Sequence, residues 1–200
     1  IRHSEKMFNM KRLLLILILT LSYQSLTKAD DISDFQIEGM SIGDSLLDHM
    51  SEVEINNSIL KSKYKDTSFV RVESYDNLKS YDAIQLHFKN DDSNYIIHML
   101  SGAKYFIDDI NNCYKEKKIA ENDLKDLFKK LSFEDWGTAA HPVDKTGKTM
   151  VSTTMFTFID SGSGAIQCYD WSKEMKYNDH LKIKLMTDEY SNWIQNIAFK

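Results

Sequence analysis

Residues 30–200 carry five histidines, His49, His87, His98, His141 and His180, and two cysteines, Cys113 and Cys168. None of the histidines form a close pair, and neither HExxH nor CxxC spacing occurs, so no metal site is expected. His87 and His98 flank one hairpin turn, where a pair of surface polar side chains is the simplest account. No GxSxG elbow is present, and "SGSG" at 161–164 has the composition of a hairpin turn. Gly147-Lys148-Thr149 ends like a phosphate-binding loop, but Pro142 stands where the first glycine belongs and brings no N–H. "NDDSN" at 90–94 and Asp108–Asp109 lack the spaced oxygen donors of a calcium loop. The residue types that remain favour contact over catalysis. Tyr169 and Trp171 share one strand face, and with Trp136, His141 and the loop at 138–147 they can line a groove for a peptide, a glycan or a partner's edge. The alternative is a small hydrolase or ligand-binding enzyme centred on His141 with nearby carboxylates. No cofactor is expected under either reading.

The elements that must position these residues can be read from periodicity. Ser41, with Asp44 at the third helical position, has the form of a capping box and predicts a helix burying Ile42, Leu46, Leu47 and Met50. Ser51 and Glu54 repeat the device for a second short helix. Alternation predicts strands over 67–74, 81–89 and 95–107. In 81–89 it sets Ile84, Leu86 and Phe88 against Ala83, Gln85, His87 and Lys89. Three- and four-residue spacing predicts a long helix over 108–131. Residues 133–149, with the only proline and two glycines, read as loop. Strands follow over 150–159, 165–171 and 180–187, the last with Leu181, Ile183 and Leu185 opposed by Lys182, Lys184 and Met186. Thr187 then caps a terminal helix. The expectation is an α+β fold, with an antiparallel sheet or sheets packed against three to four helices, as one compact domain over 30–200. Sub-units of 30–131 and 132–200 are the alternative division.

Composition sets the compartment. Lys11 and Arg12 precede an apolar run at 13–21, and the following polar stretch ends in Ala29, so residues 1–29 have the form of a signal peptide. The run is too short to span a bilayer comfortably, and no stable membrane insertion is expected after cleavage. Five of the 25 basic and one of the 30 acidic residues lie in 1–29, which leaves 20 against 29, a net charge of −9. That balance argues against nucleic acid as a partner. Arg71 is the one arginine after residue 29, which excludes mechanisms needing several bidentate clamps. An even cysteine count in an exported chain predicts a Cys113–Cys168 disulfide. The destination is periplasmic or secreted.

The corner Gly39-Met40-Ser41, followed by Asp44, Leu46 and Leu47, resembles the helix start of the SmpA/OmlA (BamE-type) outer-membrane assembly lipoproteins and of β-lactamase-inhibitor-like domains. The resemblance implies helices on one face of a three-stranded antiparallel sheet, and a periplasmic scaffold or binding role with envelope partners. The closing glycine and the lipidation cysteine of that group are absent. The abundance of Lys, Asn, Ile and Asp resembles secreted proteins of bacteria with AT-rich genomes.

Overall fold

The structure is a computed structural model that describes residues 31–62, 64–128, 130–159 and 162–200. The predicted signal peptide at 1–29 lies outside the described residues.

Eight strands form one antiparallel sheet: β1 (Ile59–Leu60), β2 (Phe69–Ser74), β3 (Ala83–Lys89), β4 (Met99–Tyr105), β5 (Ser132–Ala140), β6 (Met150–Phe158), β7 (Gly162–Asp170) and β8 (His180–Met186). Their spatial order is β1-β2-β3-β4-β8-β7-β6-β5. Each half is a meander, and β8 joins them by pairing with β4 on one side and β7 on the other. The helices are α1 (Glu52–Asn57), α2 (Ile110–Leu127) and α3 (Asp188–Asn196). This corrects the expected α+β architecture of sheet or sheets packed against three to four helices. Among the described residues the sheet dominates, and the three helices are additions to a β-rich fold.

The two faces of the sheet are built differently. One carries Val72, Leu86, Leu100, Ile166, Ile183, Leu185 and Phe156, all buried, beneath α2 and the segment around Phe35, Ile37 and Leu46. Here α2 lies against β7 and β8. It is fixed by the disulfide from Cys113 to Cys168, with an S–S distance of 2.08 Å. A second tie is the buried Lys117–Glu121 pair, whose members both bond the Thr154 hydroxyl of β6, at 2.7 and 2.6 Å. The opposite face is apolar at one end only, where Tyr190 and Trp193 of α3 pack on Phe69, Met99 and Met186.

Two local expectations also need correction. Ser41 and Asp44 do not cap a helix. The Ser41 amide donates to Asp44 Oδ2 at 2.7 Å, which is half of the capping box, but a turn follows. Gly43 takes φ of +92°, outside helical space, and its amide bonds the Ile97 carbonyl. The chain runs beside residues 95–97 instead, so Leu46 is buried while Leu47 is exposed. Ser45 then caps a single 3-10 turn, Leu46–Asp48. The second device acts as read: Ser51 and Glu54 form a complete capping box at the start of α1. The stretch 133–149 is not all loop, because residues 133–140 belong to β5. That strand is almost wholly exposed and has a bulge at Asp135–Gly137, so neither alternation nor hydrophobicity marks it.

Candidate functional site

On the face away from α2, the side chains between α3 and the far end of the sheet form a polar floor. Strand alternation places Arg71 and Glu73 of β2, Gln85 and His87 of β3, Lys182 and Lys184 of β8, and Gln167 and Tyr169 of β7 on this side. Register aligns them: Ser101 and Ala165 flank Lys184, while Ala103 and Gln167 flank Lys182. Ser101 and Ala103 on β4 are small, and Lys182 reaches across that strand to donate to Gln85 Oε1 at 3.0 Å. Gln85 in turn donates to Glu73 Oε1 at 2.6 Å, and Arg71 lies 3.9 Å from the same oxygen. On the other side Tyr169 donates to Gln167, which donates to Thr153.

The electrostatics of this floor are unusual for the centre of a sheet. Lys182 and Lys184 remain half-buried, since solvent reaches part of each while protein atoms surround the rest. Burial first, with Lys184 and Arg71 adding and Glu73 opposing, pulls the Lys182 ammonium down to about 8. Burial also lowers Lys184, which has no hydrogen-bond or ion-pair partner among the described residues. His87 is fully buried with Nδ1 unpaired; burial first, then Lys182, Arg71 and Lys184, hold it well below the usual imidazole range. Its register partner is Met99 rather than His98, so the two histidines form no surface pair.

The far end of the floor is aromatic. Tyr169 stacks on His180 with ring centroids 4.6 Å apart and lies 5.8 Å from Trp171, nearly parallel to it. His141 sits 4.9 Å from Trp171 and 5.8 Å from Tyr169. The structure therefore brings together three of the four sequence-derived contact residues, His141, Tyr169 and Trp171. The fourth, Trp136, is exposed at the β5 bulge and makes no ring contact with them. Burial lowers His180 to about 4, with the Asn178 carbonyl opposing and Lys182 and His141 adding, so this ring is neutral at pH 7.

His141 is held by its loop rather than by a catalytic partner. The β5–β6 connection is anchored on Asp144, whose carboxylate accepts from Thr146, Thr149 and Ser172. The hydroxyls of Thr146 and Thr149 hold that carboxyl well below its usual range, against burial, with Ser172 adding. Those bonds leave Asp144 committed, and His141 Nδ1 accepts from the Val143 amide at 3.3 Å. No hydrogen bond joins His141 to a second titratable group among the described residues. Gly147-Lys148-Thr149 lies in this connection, with Lys148 paired to Glu174.

A cleft of about 330 Å³ opens beside the floor at the β1–β2 edge and shares Arg71 with it. Among the described residues, no three His, Cys, Asp or Glu side chains group as a metal site, and no helix is long and apolar enough to cross a membrane.

The lysine floor escapes sequence reading for a specific reason. Alternation in "HLKIKLM" and "YDAIQLHFK" assigns these residues to one face, but it does not tell an enclosed face from a solvated one. The small residues Ser101 and Ala103 on the adjoining strand are the available clue. Compared with protein-family models, with curated proteins and with solved structures, the chain matches none of them.

Proposed function

We propose that this chain is an exported binding protein without catalysis of its own, and that its ligand sits on the polar face of the sheet between α3 and the Tyr169–Trp171 cluster. The observation that carries this reading is the half-buried floor around Lys182 and Lys184. The centre of a sheet ordinarily buries apolar side chains under another layer. Here it holds charged and amide groups open to solvent, arranged in hydrogen-bonded rows, with aromatic rings at one end. A few convergent polar groups beside aromatic rings suit ligands.

The disulfide fits an oxidising compartment, which supports a periplasmic or secreted setting. A small solute, a peptide or a glycan suits the floor's mix of polar groups and aromatic rings. An envelope protein, the partner class implied by the resemblance at Gly39-Met40-Ser41, is the other occupant to test.

Thermal-shift screening of the oxidised protein against solutes, peptides and glycans tests the reading, with hits mapped by NMR. The expected hit raises the melting temperature and perturbs Tyr169, Trp171 and the Lys182 side chain. Hits that stabilise the protein while leaving those signals unmoved would put the site elsewhere.

A further inference from the structure

We infer that the ligand of this face carries a doubly charged oxyanion, a phosphate monoester in the first instance, which bridges Lys182 and Lys184. The inference rests on the binding reading above and adds the chemistry of the ligand.

The protein leaves positive charge on this face unbalanced. Lys182 and Lys184 are two apart on β8, so they rise from the same face about 6.7 Å apart along the strand. That strand is one of the central pair of an eight-stranded sheet. Arg71 approaches from β2, and His87 lies beneath, its ring against Tyr190 at 4.9 Å. Among the described residues, the acid that bears on Lys182 is Glu73, which Gln85 and Arg71 already engage. Near neutral pH, below the titration of Lys182, three cations and one carboxylate leave an excess of two positive charges on a chain whose described part is acidic overall.

Half-buried charges without counterions raise the energy of the fold, and fixed sites of this kind are where ligands of opposite charge bind. The excess of two matches a phosphate monoester, which carries about −1.5 to −2 near neutral pH. Paired lysines hold such a group as point charges, without the flat fork an arginine offers to a carboxylate. The polar atoms around them suit the rest of such a ligand. Lys184 has its donors unused among the described residues, and the rings of Tyr169 and Trp171 offer an apolar wall to the group that the phosphate esterifies.

Titration of the oxidised full chain by calorimetry, with phenyl phosphate, inorganic phosphate, benzoate and phenyl glucoside as probes, tests the inference. Phenyl phosphate is expected to bind best, with inorganic phosphate and benzoate each at least ten-fold weaker and the neutral glucoside not detected. Lys182→Met and Lys184→Met should each lower phenyl phosphate affinity at least ten-fold while the melting temperature of the free protein holds or rises. A substitution that merely damaged the fold would lower both. Affinity for phenyl phosphate should also fall as pH rises through about 8, where Lys182 loses its proton. Absence of saturable binding by phenyl phosphate would overturn the inference, as would unchanged affinity in both lysine variants. Glucoside binding that the lysine variants leave intact would overturn the anion chemistry and keep the binding reading.

Discussion

Lys182 and Glu38 illustrate opposite uses of charge by single residues. Folding lowers the Lys182 ammonium to about 8 from its ordinary 10.5, so the unfolded chain holds this proton more tightly than the folded one. The ligand-free protein should therefore become more stable as pH rises from about 8 to 10.5. The gain is on the order of 1 kcal/mol once the solvent that reaches the side chain is allowed for. Denaturant titrations across that range measure it, with Lys182→Met as the flat control. Glu38 does the reverse and stabilises. It stands at φ of +54° beside Gly39 at +82°, the two central residues of a tight turn joining Ile37 to Met40. Its carboxylate accepts from the Lys79, Ser80 and Tyr81 amides at 2.8, 2.6 and 3.0 Å. Glu38→Ala should cost about 2–3 kcal/mol, because three amides lose a charged acceptor. Urea melts together with faster amide exchange at 79–81 would show it. The sequence made Gly39 legible as a turn but gave no sign of Glu38, whose partners lie some forty residues away. The same limit applies at the candidate site: Tyr169 and Trp171 could be paired from local alternation, whereas the Lys182–Gln85 contact spans nearly a hundred residues.

Among the elements, α2 is the one whose position was most open to sequence reading. Its periodicity predicted the helix, and the cysteine count predicted its tie to β7. The buried Lys117–Glu121–Thr154 contact was not predictable, because Lys and Glu four apart on a helix ordinarily face solvent. Burial alone would raise the Glu121 carboxyl, but hydrogen bonds from Thr154, Lys117 and Lys118 outweigh it and hold the group at about 2. The lowered value stabilises the fold above the unfolded carboxyl range, and that contribution is lost as pH falls from about 4.5 towards 2. Glu121→Leu should destabilise by about 3–5 kcal/mol, because it leaves Lys117 buried without its partner. Adding Lys117→Met should restore most of that loss. A double-mutant cycle by chemical denaturation provides the measurement. The misread elements fail for equally physical reasons. Gly43 sits in a left-handed conformation inside the expected helix at 42–50, and β5 is an edge strand with no covered face to impose a pattern.

For the whole molecule, the decisive contact is the seam between β4 and β8. The register runs over seven residue pairs, from Met99–Met186 to Tyr105–His180, and joins segments about eighty residues apart. Neither strand advertises this pairing, since both are amphipathic and either could end a smaller sheet. The seam welds the two meanders into one hydrogen-bonded layer, so the protein should unfold in a single transition. Far-UV and near-UV melting curves should coincide, and amides of β4 and β8 should exchange together as the slowest set. Two separated transitions would show that the halves behave as independent units.

The disulfide separates its cysteines by 55 positions, and that interval contains most of α2, all of β5 and β6, and the exposed stretch at 145–148. The main chain between the two sulfurs is thus a closed covalent ring. A single protease cut at Lys145 or Lys148 opens the ring without releasing either end. The clipped protein should run as one species on a non-reducing gel and as two once a thiol is added. Nicked molecules would then keep β7 and α2 joined, and a cell that cleaves this loop would retain a tethered two-chain protein rather than two fragments.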